Sequence, residues 1–218
     1  MDSTTSNASH KRERRKEARP GELLAAALEL FVEKGYAATR VEEVAARAGV
    51  SKGTLFLYFP SKEELFKAVV RENISGRMVE WNAAFESFQG PSADMIRVLA
   101  REWWERIGMT GASGITKLVL SEVGAFPEIA AFYQQEVMEP GRDILRRLLQ
   151  RGIDRGEFRP INIEYAIHSL IAPLIFLTMW QHALGPCCPS TQQIEPMAFI
   201  EAELDLLLNG LHAKPPPD

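Results

Sequence analysis

Apolar residues recur at intervals of three and four along almost the whole chain, and alternating β-branched runs are absent. That period belongs to helices with one buried face, whereas a half-buried strand requires a period of two. The sequence therefore predicts an all-α protein. Its 218 residues allow one large domain or two small ones. At 46% hydrophobic and 25% charged residues, it is neither a disordered chain nor a collagen-like repeat. Its two cysteines, Cys187 and Cys188, are adjacent and build no disulfide framework, which fits a reducing compartment. The first ten residues are polar, not an apolar export segment, so a cytoplasmic location is expected.

Turn and cap residues divide the helical pattern. Leu23, Leu24, Ala27, Leu28 and Phe31 form one face of a helix starting near Pro20 and stopped by Gly35. Thr39-Arg40-Val41-Glu42 reads as a capping box, the threonine oxygen taking an amide and the glutamate reaching back. A short helix to Arg47 or Ala48 follows, then Gly49. Ser51 caps another to about Tyr58, Phe59-Pro60 ends it, and Ser61-Lys62-Glu63-Glu64 is a second capping box opening a helix towards Phe88. Gly90-Pro91-Ser92 marks a break between a small N-terminal part and the rest. Further helices are expected over about 92–108, 113–123, 127–156, 163–184 and 192–212, with Pro140 kinking or dividing the 127–156 segment. The proline-rich tail 214–218 is expected to fray.

Charge is unevenly distributed. Up to Lys62 the chain carries eleven basic and eight acidic side chains; the remainder carries fourteen and twenty-one. A basic end on an acidic chain points to nucleic acid for that end alone. The stretch Tyr165–Gln193 has no charged residue and is long enough to span a bilayer. His168, Ser169, Pro173, Gln181 and His182 interrupt it, and basic flanks are lacking. A helix buried between subunits has the same composition, so no membrane partner is expected.

Residues Val41–Tyr58 have the spacing of a helix-turn-helix. Ala45 is small where two helices would cross, and Gly49, four residues on, tolerates the positive φ of a tight turn. Val44, Ala48, Val50 and Leu55 fall where their side chains would wedge the two helices apart from the outer face. In such a unit the first helix crosses the phosphate backbone and the second enters the major groove. Thr39 and Arg40 are expected at a phosphate. Ser51, Lys52, Gly53 and Thr54 lie in the turn nearest base edges, Gly53 allowing close approach. Tyr58 and Lys62 are further phosphate candidates. Lys11, Arg12, Arg14, Arg15, Lys16 and Arg19 form a basic arm suited to the backbone or the minor groove. Taken alone, the motif is also compatible with an ordinary αα corner.

The segment RPGELLAAALELFVEKGYAATRVEEVAARAGVSKGTLFLYFPSKEELFKAVV, Arg19–Val70, closely resembles the DNA-binding domain of the tetracycline-repressor (TetR/AcrR) family. The resemblance covers about a quarter of the chain, and GVSKGTLFLYFPSKEEL is its most specific part. It implies DNA contacts at Thr39, Arg40, Ser51, Lys52, Gly53, Thr54, Tyr58 and Lys62. Leu57 departs from the family pattern, in which many members carry an aromatic residue, and removes one expected phosphate contact. The implied organisation is a flexible basic arm (1–18), a three-helix DNA-binding domain (19–65, motif 41–60), a helical ligand-binding and dimerisation domain (66–212) and a disordered tail (213–218).

The resemblance also implies a homodimer and an apolar effector pocket. Dimerisation has independent support: one reading helix offers a single strong base-reading group, Lys52, and helices 164–184 and 192–211 carry more apolar surface than one subunit covers. For the pocket, Trp81, Phe85, Trp103, Trp104, Ile107, Leu118, Phe126, Phe132, Phe176 and Trp180 are the candidate lining residues, beside Phe88, Tyr133 and Met179. His168, Gln181, Arg106 and Glu122 are candidate polar contacts. The expected function is a homodimeric repressor on a palindromic operator, released by a small apolar or aromatic effector. Activation, regulation without a ligand, and redox or metal sensing through Cys187-Cys188 with His182 are the alternatives. No catalytic motif, cofactor or metal site is read from the sequence.

Overall fold

The structure, a computed structural model, describes residues 4–122, 124–187 and 194–211, with side chains from residue 20 onward and excluding Pro186. The basic-arm side chains Lys11, Arg12, Arg14, Arg15, Lys16 and Arg19, together with Cys188, Gln192 and the tail 213–218, lie outside the described residues. Among the described residues every regular element is helical. The chain forms two compact units, Met1–Glu72 and Asn73–Asp218.

The first unit contains α1 (Thr4–Ala38), α2 (Val41–Arg47), α3 (Lys52–Tyr58) and α4 (Lys62–Val70). The helical backbone begins at Thr4, so Pro20 lies inside α1 rather than at its first turn. Proline fixes a helical φ and forfeits one backbone bond, which a helix can accommodate. The break expected at Gly35 is present, with φ +84°. Leu23, Ala26, Ala27, Leu30 and Phe31 form the buried face of α1; Leu24 and Leu28 are only partly covered. That face meets Leu65, Phe66, Val69 and Val70 of α4. The rings of Phe31, Tyr36 and Phe66 pack at 5.4–5.7 Å between centroids. Each such fully buried side chain contributes roughly 1.5–3 kcal/mol.

The second unit contains α5 (Gly76–Ser87), α6 (Ser92–Trp103), α7 (Ser113–Glu122), α8 (Pro127–Tyr133), α9 (Glu139–Asp154), α10 (Ile163–Met179), the short α11 (Gly185–Cys187) and α12 (Pro196–Leu211). Single π turns extend helices at Trp104–Gly108, Gln134–Met138 and Trp180–Leu184, and another, Arg71–Ser75, joins α4 to α5. The π turn at 134–138 directly precedes Pro140 and is where the 127–156 helix divides, since proline leaves a carbonyl one turn back without its usual partner.

The chain divides at Glu72 rather than at Gly90-Pro91, because Trp81 and Phe85 of α5 are buried in the second unit. The core of this unit lies between α6, α9, α10 and α12, centred on Ile96, Trp104, Leu148, Leu149, Ile167 and Leu208. Phe158 seats directly against Gly152, where a Cβ would overlap its ring. Glu164 ties α10 to α9 by accepting from Arg146 and Arg142, both at 2.8 Å. Those guanidinium groups hold its carboxyl at about 2, far below the usual carboxylate range.

The stretch Ile163–Leu184 is long and apolar enough by composition to cross a membrane. Here it packs against α9, α12 and α7, burying Ala166, Ile167, Leu170, Leu177 and Thr178. Its opposite side presents Tyr165, His168, Ser169, Ala172 and Phe176, an uncharged stripe at helical spacing.

Candidate nucleic-acid interface

The corner between α2 and α3 is built as its spacing requires. The Val50 amide donates to the Ala45 carbonyl at 2.9 Å and the Gly49 amide to the Ala46 carbonyl at 3.1 Å. Gly49 has φ +67°, a conformation that side chains with a Cβ rarely adopt. Val44 and Leu55 are fully buried, Ala45 almost so, and Ala48 and Val50 partly. The Ser51 oxygen accepts from the Thr54 amide at 3.1 Å and caps α3 as expected.

The cap of α2 differs from expectation. Arg40, not Thr39, is the N-cap residue, and its amide donates to Glu43 rather than to Glu42. Thr39 is buried, and its hydroxyl, close to the Gly35 (2.7 Å) and Leu30 (3.1 Å) carbonyls, is directed into α1. A threonine before a hydrophobic run has the same sequence signature in either role, so only the tertiary bond separates them. Its hydroxyl is therefore engaged by the fold.

Lys62 is also employed internally. Its ammonium donates to the carbonyls of Tyr36 (2.8 Å), Ala37 (3.2 Å) and Thr39 (3.1 Å), and sits 4.5 Å from the centre of the Tyr36 ring. Carbonyls left over where a helix ends attract a cation. The partners lie more than twenty residues away in sequence, and no local signal reveals them.

The remaining expected residues separate by face. Arg40, Ser51, Lys52 and Gly53 are exposed, whereas Thr54 and Tyr58 are partly buried on the side of Leu55. Lys52 Nζ pairs with Glu42 at 2.6 Å, which brings the first turns of α2 and α3 together and holds the Glu42 carboxyl below its ordinary value. The exposed face of α3 is completed by Leu57 (83% exposed), which the sequence reading named only as a departure from the family pattern, and by Phe56 (39%), which it did not single out. Projecting α3 at 100° per residue groups them with Lys52 and Gly53, so the signal was present in the helical period.

In the second unit, Trp81, Phe85, Trp104, Ile107, Leu118 and Phe132 are buried. Trp103, Phe126 and Trp180 are partly buried, and Phe176 is 41% exposed. Two crevices beside α12, of about 10 and about 80 Å³, are lined by other residues, among them Ile200 and Leu204. Arg106 pairs with Glu80 and Glu102, and His168 and Gln181 are exposed. Polar groups do reach the interior near α7. Tyr133 and Thr116 hydroxyls are 3.0 Å apart, and Ser113 Oγ lies 2.7 Å from His182 Nε2. Ser113 gives its one proton to the Thr110 carbonyl at 2.8 Å, so His182 is the donor in that pair. Burial, and then nearby Lys117, lower the His182 pKa. Cys187 is exposed, and no cluster of metal-ligating side chains occurs among the described residues.

Residues 23–69 match the family model described as bacterial regulatory proteins, tetR family, and residues 90–186 match a tetracyclin repressor-like C-terminal domain. The fatty acid metabolism regulator protein of Bacillus subtilis is 24% identical over 193 residues, covering 88% of this chain and 95% of its own. An uncharacterized HTH-type transcriptional regulator of Mycobacterium bovis is 30% identical over 153 residues, 70% of this chain and 72% of its own. The solved structure of the transcriptional regulator FadR from Bacillus subtilis, in complex with stearoyl-CoA, has the same fold: TM-score 0.69 at 21% identity, covering 88% of this chain and 98% of that one. With a helix-turn-helix unit and a helical second unit each matched in order, the chain is a DNA-binding transcriptional regulator, not an enzyme, and belongs to the TetR family.

Proposed function

We propose that the protein is a homodimeric repressor of a palindromic operator, released by a small effector with a substantial apolar part. The exposed face of α3, with Lys52 at its start and Arg40 and Ser51 nearby, carries this reading. Thr54, Tyr58 and the Gly53 backbone complete the proposed contact set, and the basic arm supplies further phosphate contacts. A single short helix reads too few bases for specificity, so two copies bind half-sites ~34–36 Å apart or a multiple of that.

The uncharged stripe on α10, with exposed Leu206 and Ala202 of α12, supplies the surface on which two copies pair as a four-helix interface. The effector occupies the aromatic-rich interior of the second unit. Support for an apolar effector comes from that composition and from the relatives, one named for fatty acid metabolism and one solved with stearoyl-CoA. Effector sites have ~300–1,000 Å³, far more than the two crevices beside α12. Entry into that interior then requires helices to part. The helical backbone running from α4 through the π turn at Arg71–Ser75 into α5 carries that displacement to α3. Release needs the effector to prefer the DNA-incompetent form by ~1–3 kcal/mol or more.

Selection of bound duplexes from a random pool tests the first half; an inverted repeat is expected, and a non-repeated site or no site refutes it. Titrating the selected complex with long-chain acyl-CoA, with free CoA as control, tests the second. A complex undisturbed by every ligand that binds the protein refutes induction.

A further inference from the structure

α3 presents four residues outward, Lys52, Gly53, Phe56 and Leu57, while Leu55 faces inward and Thr54 and Tyr58 flank it. Half of this outward face is therefore large and apolar. Leu57 is 83% exposed, and Phe56, 39% exposed, lies under the Lys52 ammonium at 5.7 Å from ring centre to Nζ. Leucine has no group to offer a phosphate. Duplex DNA presents one apolar group in its major groove, the C5-methyl of thymine. We propose that Leu57, with Phe56 beside it, reads thymine methyl groups and makes the last turn of α3 a specificity element. The inference rests on α3 being the helix that enters the groove.

The occupant follows from what surrounds the patch. Lys52 on the same face and the exposed Arg40 at the start of α2 suit a polyanion and oppose an apolar protein partner. Five residues at 1.5 Å rise separate Lys52 from Leu57 by about 7.5 Å. The thymine therefore falls about two base pairs from the base that Lys52 contacts. A 5-methylcytosine carries its methyl at the equivalent ring carbon, so the same contact tolerates that base in place of thymine better than it tolerates cytosine.

The test uses the full-length protein and the duplex selected from the random pool, with each half-site thymine replaced in turn by deoxyuridine, which lacks only the methyl. Fluorescence anisotropy should show binding weakened about four-fold at one or two positions per half-site, the size of one buried methyl. Where such a position holds cytosine, 5-methylcytosine should bind more tightly than cytosine by a similar factor. Leu57→Ala, at a site too exposed to affect folding, should bind the thymine and deoxyuridine duplexes equally, with its melting temperature unchanged. Equal binding of both duplexes by the unaltered protein at every position would overturn the inference, as would a Leu57→Ala variant keeping the full ratio. Either result leaves the operator reading intact, whereas failure to select any duplex overturns that reading and this one with it.

Discussion

Replacing Lys62 by methionine separates a lysine that holds the fold from one that holds DNA. Methionine keeps an unbranched apolar stem over Tyr36 and removes only the ammonium. Two of its three carbonyl partners, those of Tyr36 and Thr39, are partly buried, and the third, that of Ala37, is exposed and rehydrates. Hydrogen bonds to charged groups contribute about 1.5–3 kcal/mol, but the three share one charge. A loss of about 2–3 kcal/mol from the first unit follows, a large part of a small domain's stability. All four tryptophans lie beyond residue 72, so tryptophan fluorescence does not see this unit. Hydrogen exchange by mass spectrometry over α1 and α4 does, and protection there should fall by roughly 30- to 150-fold. Lys62→Arg discriminates further: a planar guanidinium satisfies a phosphate at least as well as an ammonium, but it does not converge three carbonyls on one point. It should lose part of the protection. The salt dependence of DNA binding should stay unchanged in both variants at a temperature where they are folded. If Lys62→Met keeps α1 protected while the slope of log affinity against log salt drops by about 0.9 per phosphate, Lys62 is a DNA contact and the reasoning fails.

Four further outcomes are expected. Glu42→Gln frees Lys52 and removes a negative charge beside it, so affinity for duplex DNA should rise severalfold at low salt and the salt dependence steepen, with no change in unfolding midpoint; a weaker complex would show that the pair positions Lys52 productively. Gly152→Ala forces Phe158 from its seat and should destabilise the second unit by about 1–3 kcal/mol, read from thermal denaturation by tryptophan fluorescence. Because burial lowers the His182 pKa, the unfolded chain takes up a proton first as pH falls. Stability is complete above the ordinary imidazole value near 6.5 and declines below it. Urea midpoints between pH 7.5 and 5.5 should show this slope, reduced in His182→Gln. Deleting residues 1–18 should weaken operator and random duplexes by similar factors and flatten the salt dependence; loss confined to the operator would place base reading in the arm.

Helix positions were legible because the 3.6-residue period and the glycine and proline stops are local properties. Val41–Arg47, Lys52–Tyr58 and the start at Lys62 fall where caps and turns put them. The same locality explains what the sequence did not reveal. Thr39 has the signature of an N-cap, yet its hydroxyl bonds to Leu30, nine residues back. Lys62 stands in the first turn of a helix like any solvated lysine, but its partners are at the end of another helix. The 65/66 boundary implied by the resemblance lies a few residues from Glu72, inside continuous helical backbone that carries no local stop, whereas Gly90-Pro91 is only a turn within the second unit. The π turns carry no sequence mark beyond the nearby Pro140. At the interface, helix-turn-helix spacing and the family resemblance supplied the polar residues and marked Leu57 as a departure, while exposure along α3 joined Phe56 to it.

The distribution of charge in the first unit explains why so few side chains remain for reading bases. Arg47 pairs with Glu33 and Glu29, Lys34 with Glu43, Lys52 with Glu42, and Lys67 with Glu63 and Glu64. From Pro20 to Lys62 basic and acidic residues are equal in number, and the basic excess resides between Lys11 and Arg19, where six basic residues accompany Glu13 and Glu17. A balanced globular part folds without self-repulsion and does not adhere to every duplex it meets. In the proposed function, sequence-independent attraction then falls to the arm and base reading to α3. Preference between bases rests on small terms at α3, a lysine and an apolar pair, each of about 1–3 kcal/mol or less. Such terms discriminate only when the non-specific attraction is modest and the site is read twice. The neutral balance of the folded part and the proposed pairing through α10 and α12 are therefore two conditions of the same requirement.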